Sequence, residues 1–150
     1  MREIDRMKKK IGFPMFAHYN LPVKYFIEQG LGQTYVKQPK MTARTMELGA
    51  KYAPDMVCTP YKEVLGSLME ALEASADTLI MPMGLCRLGY YGELAEQTLH
   101  DLGYQFDMIN LAEYTTGKSK DYFKAIKRVS PKINALKAGK ALPGRRRKLS

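Results

Sequence analysis

Two cysteines are the residues of this chain best suited to chemistry. Cys58 stands in Val57-Cys58-Thr59-Pro60, and Cys86 in Gly84-Leu85-Cys86-Arg87. Each follows a short apolar run that reads as a buried strand and precedes a helical pattern. In an open α/β sheet this puts both thiols at the carboxyl edge of the strands, where ligands bind. Two soft ligands at one crevice suggest a thiophilic metal, with an iron–sulfur cluster as the leading candidate. By periodicity alone each cysteine reads equally well as a small buried hydrophobe. Zinc fits poorly, because there is no CxxC spacing and His18 and His100 stand at no metal-type distance from the thiols. A disulfide between them is out of place in a reducing compartment.

The neighbours carry weaker signals. Arg87, next to Cys86, could hold an anionic cofactor and lower the thiol's pKa, and Lys62 has the same two readings, solvated cation or anion holder. Gly84, Gly89 and Gly92 would let backbone approach a cofactor, or are turn glycines. Tyr90 and Tyr91 offer hydroxyl donors, although half-buried aromatics at a helix start are the commoner outcome. Gly12-Phe13-Pro14 follows a strand but lacks a phosphate-binding glycine pattern. No Ser-His-Asp or Cys-His grouping is visible, and Glu93 and Glu96 read as a solvated helix face.

Strands are expected at Lys10–Pro14, Thr34–Val36, Met56–Val57, Thr78–Met81 and Phe106–Leu111. Helical spacing covers Pro22–Gln29, Thr42–Tyr52, Tyr61–Ala74, Gly92–Leu102 and Asp121–Ala138, the last interrupted at Ser130-Pro131. The Tyr61–Ala74 pattern is cleanly amphipathic, with Val64, Leu65, Leu68, Met69 and Leu72 on one face. In Gly92–Leu102 the inward residues are expected to be Leu94, Ala95, Thr98 and Leu102. Strands alternating with helices through short loops predict an α/β class: a Rossmann-like three-layer domain on a mostly parallel sheet of about four strands.

A chain of 150 residues is one domain in size. No apolar run approaches the ~18 residues of a membrane span, and no export signal follows the basic N-terminus, so a cytoplasmic location without membrane contact is expected. The net charge of +9 is unevenly spread. Lys118 to Ser150 holds 12 Lys and Arg against one acid, Asp121, whereas Met1 to Gly117 is net −2. The chain therefore divides into residues 1–117, the cysteine-bearing domain, and 118–150, a basic helical extension with a disordered end. That extension is either a terminal helix packed on the domain or a linker towards a partner. Nucleic-acid binding through it is the minor reading, a solvated basic helix the commoner one.

Four segments, in order, carry a resemblance: Lys10-Ile11-Gly12-Phe13-Pro14, Met56 to Lys62 (MVCTPYK), Asp77 to Pro82 (DTLIMP) and Gly84 to Glu93 (GLCRLGYYGE). From Lys10 to Leu111 the chain resembles the N-terminal part of the 2-hydroxyacyl-CoA dehydratase D-component family, in the branch of CoA-substrate-specific enzyme activase-related proteins. The resemblance implies Rossmann-like domains, a [4Fe-4S] or related iron–sulfur cluster, and anaerobic low-potential electron transfer to an acyl-CoA or similar substrate. Cys58 and Cys86 match its cluster-ligand positions, and a third thiolate would come from outside this chain. Gly84 and Arg87 would lie beside the cofactor, and no other catalytic residue carries across. The implied partner is an ATP-dependent activase or a second dehydratase-like subunit, with a homo-oligomer as another arrangement. If active, the chain would be a component of an acyl-CoA dehydratase (a lyase) or of an ATP-dependent reductase. A domain that keeps the fold without the cluster, serving as a non-catalytic interaction module, is the alternative.

Overall fold

The computed structural model describes residues 8–15, 20–37, 39–81, 91–110, 119–131 and 133, with the backbone alone at 119–122 and 125. Four short runs pair into one sheet: β1 (Lys10–Gly12), β2 (Thr34–Tyr35), β3 (Thr78–Met81) and β4 (Asp107–Asn110). Their order is β2-β1-β3-β4, and every pairing is parallel. Ile11 is in register with Tyr35 on one side and Thr78 on the other, and Leu79 lies opposite Met108. Parallel neighbours require crossovers, which helices provide. α1 (Asn20–Tyr25) runs into a π-helical turn (Phe26–Gly30) between β1 and β2. α2 (Ala43–Tyr52) and α3 (Thr59–Glu73) join β2 to β3, α4 (Tyr91–Asp101) joins β3 to β4, and α5 (Ser119–Val129) follows β4.

This is the expected three-layer α/β arrangement. Side chains alternate across a strand, so each strand feeds two cores. Leu79, Met81 and Met108 pack with Tyr61, Leu65 and Leu68 of α3 and with Ala95 and Leu99 of α4. On the other face Ile11, Ile80 and Ile109 pack with Phe26 and Ile27 and with Ile126 and Val129 of α5. The basic segment therefore begins as a helix packed on the sheet. The connection reverses between β1 and β3, which makes their carboxyl ends the switch-point crevice of this sheet.

α2 and α3 approach to backbone contact. A Cβ on Gly49 would stand 1.7 Å from the Lys62 carbonyl oxygen, and one on Gly66 1.9 Å from that of Thr45. In the same seam Glu70, only 3% exposed, accepts from Thr45 Oγ1 at 2.8 Å and from Arg44 at 3.1 Å. Arg44 also donates to Glu73 at 2.8 Å, and the bonds to Glu73 and Glu70 raise its pKa above the ordinary value.

Two expectations need correction. Met56-Val57 is not a strand: it lies in a turn where the Val57 N–H donates to the Pro54 carbonyl at 3.4 Å, and Met56 is 97% exposed. β1 is already flanked by β2 and β3, so the α2–α3 link has no free slot beside it. In α4 the buried residues are Gly92, Ala95 and Leu99, whereas Leu102 is past the helix end and 39% exposed. Gly103, at φ +90°, turns the chain there. Among the described residues no helix is long and apolar enough to cross a membrane.

Candidate functional site

Cys58 reaches the carboxyl edge by a different route from the one its preceding residues suggest. It is the N-cap of α3, with extended backbone (φ −73°, ψ 160°) and Pro60 in the first turn. α3 leads into the amino end of β3, so its own N-terminus lies at the opposite, carboxyl edge of the sheet. An exposed thiol therefore sits at a helix N-terminus, where unpaired N–H groups favour negative charge.

Among the described residues the sulfur has one close side-chain partner. Cys58 Sγ lies 2.7 Å from the hydroxyl of Tyr91, the first residue of α4. That hydroxyl, followed by the backbone N–H of Tyr61, holds the thiol below its ordinary pKa, against a small opposing effect of burial. The Tyr61 N–H also donates to the Cys58 carbonyl at 3.1 Å, closing the first turn of α3. Tyr61 is fully buried and meets the Tyr91 ring edge-on, with centroids 4.7 Å apart. Its hydroxyl lies beside Thr98 without a hydrogen bond of good geometry, and burial raises its pKa. Thr98 in turn donates to the Leu94 carbonyl at 2.8 Å.

Tyr91 is positioned from below by Gly92. A Cβ there would stand 2.4 Å from the side chain of Asn110, the buried last residue of β4. The start of α4 thus rests directly on the carboxyl end of β4. The glycine's close approach is to this asparagine.

Cys86, Arg87 and Gly84 lie outside the described residues, as do Gly89, Tyr90 and His18. The described residues that flank the Cys86 segment, Met81 and Tyr91, are the end of β3 and the start of α4. Lys62 is half-buried with its backbone against Gly49, and it is not among the groups that shift the Cys58 thiol. His100 is exposed near the far end of α4, stacked on Phe106 with centroids 4.5 Å apart, and joins no ligand group. Among the described residues no three His, Cys, Asp or Glu side chains gather as a metal site. Tyr61 and Asn110 went unmarked as site residues in the sequence. The available signal for Asn110 was a polar residue ending an otherwise apolar strand.

Comparison with family models, with curated proteins and with solved structures returns no match for this chain.

Proposed function

We propose that the carboxyl edge around Cys58 holds an iron–sulfur cluster, and that the chain serves as an electron-transfer component acting on an acyl-CoA or similar thioester. The observation that supports this reading is the exposed Cys58 thiol, biased towards thiolate by the Tyr91 hydroxyl and the α3 N-terminus. Thiolate is the ligand such clusters take, so the donor chemistry at Cys58 fits. Cys58 and Cys86 would be the ligands from this chain, with the remaining thiolate from a partner subunit. When bound, the group would supply a single low-potential electron. Gly84 and Arg87 are proposed beside it. The chain's own residues have definable tasks: Cys58 binds, Tyr91 fixes the sulfur and its proton balance, and Gly92 on Asn110 fixes Tyr91.

Anaerobic reconstitution with iron and sulfide, read by visible absorption and iron content, tests this. The wild-type chain should become brown and retain iron through desalting, and Cys58→Ser and Cys86→Ser should each lose most of it. A colourless, iron-free protein would remove the proposal for the isolated chain and favour an α/β interaction domain without a cluster.

A further inference from the structure

The outward face of α5 plays no part in the Cys58 site. Its apolar side is buried: Ile126 and Val129 pack against Ile80 and Ile109, and Ile133 belongs to the same core. Two hydrogen bonds lock its end, Gln33 Nε2 to the Val129 carbonyl at 3.0 Å and Ser130 Oγ to the Leu31 carbonyl at 2.8 Å. This fixes which side faces water. Lys124, Lys127 and Arg128, at positions i, i+3 and i+4, are all exposed there. None makes an ion pair with a residue whose side chain is described. Lys127 instead places its ammonium 5.9 Å from the centre of the half-buried Phe123 ring. Like charges at i and i+4 repel, and an anionic partner relieves that. From Lys132 to Ser150 the sequence adds seven more Lys and Arg and no acid.

We infer that the outer face of α5 is a docking surface for the phosphate backbone of a nucleic acid. Charge complementarity carries the inference, and burial of the apolar side selects the partner. A membrane-surface helix inserts its apolar face into lipid, and that face of α5 is already in the core. Contacts with the phosphate backbone carry no sequence information, so binding is sequence-tolerant and salt-dependent.

The test is fluorescence anisotropy of a labelled mixed-sequence RNA oligonucleotide titrated with the full chain over a salt series. Wild-type affinity should fall steeply as salt rises. The triple variant Lys124→Gln, Lys127→Gln, Arg128→Gln should weaken binding about tenfold at low salt and reduce the slope of log K against log salt by about 2. A control triple, Lys37→Gln, Lys40→Gln, Lys51→Gln, removes the same charge from exposed positions elsewhere and should keep the wild-type slope. Circular dichroism checks that both variants fold, and Cys58→Ser should leave RNA binding unchanged. Three results would overturn the inference: no RNA binding by the wild type, equal effects of the two triples, or phosphatidylserine-vesicle binding that depends on the α5 residues while RNA binding does not.

Discussion

At Cys58 one exposed sulfur lies 2.7 Å from a phenol 33 positions later in the chain, the largest of the influences that lower the thiol's pKa. The cysteine was legible in the sequence as a thiol just before a helix. The Tyr91 hydroxyl was legible only as a donor near some ligand, because nothing in local spacing says that two helix starts will meet. Tyr91→Phe removes the largest influence on the thiol and should move its pKa up towards the ordinary range. Alkylation rate against pH measures this: the wild-type half-point should lie below that of the variant, and coincident curves would contradict the assignment. In sign, a lowered thiol pKa stabilises the fold above the unfolded thiol's value, and that contribution is lost as pH falls through the folded value. The sulfur is exposed, so reactivity is the better readout. Tyr61→Phe removes a buried hydroxyl without a well-placed partner and should change stability by less than ~1 kcal/mol, whereas Tyr61→Ala should cost ~3–5 kcal/mol by chemical denaturation.

Among the elements, helices with long apolar stripes were the most legible. α3 lies within two residues of its expected bounds at both ends because Val64, Leu65, Leu68 and Met69 define one face. Thr42 is the N-cap of α2, its N–H donating to Thr45 Oγ1 at 3.0 Å. What the sequence hid was pairing. Two apolar residues, Met56 and Val57, look like a strand until the sheet is assembled and leaves them no partner. The role of Gly49 and Gly66 was equally hidden, since a helix-interior glycine reads as a propensity cost until a second helix is laid against it. Gly66→Ala should push α2 from α3 and destabilise by ~1–3 kcal/mol in denaturant melts, with the Thr45 carbonyl as the clashing group. Gly92→Ala acts at the other end of the site. It should displace the first turn of α4 from Asn110 and, through Tyr91, slow Cys58 alkylation near neutral pH.

Across the whole molecule, the α/β class followed from the alternation of strand and helix patterns, and the sheet order from none of them. The two cores explain why the charge boundary near Gly117 does not end the packed structure, since Ile126, Val129 and Ile133 close the face that holds Ile80 and Ile109. A chain ending after Gly117 should therefore unfold or lose its cooperative melt, because several buried isoleucine and valine contacts at ~2–4 kcal/mol each rival a domain's entire stability. The carboxyl edge and the basic face of α5 are separate features of one scaffold, and each has its own test. For the central claim, that Cys58 binds an iron–sulfur cluster at this edge, the most direct measurement is low-temperature electron paramagnetic resonance of the anaerobically reconstituted, dithionite-reduced chain. The expected result is a reduced-cluster signal that is present in the wild type, altered in Tyr91→Phe and absent in Cys58→Ser. A signal unchanged by Cys58→Ser, or no signal in the wild type, would contradict it.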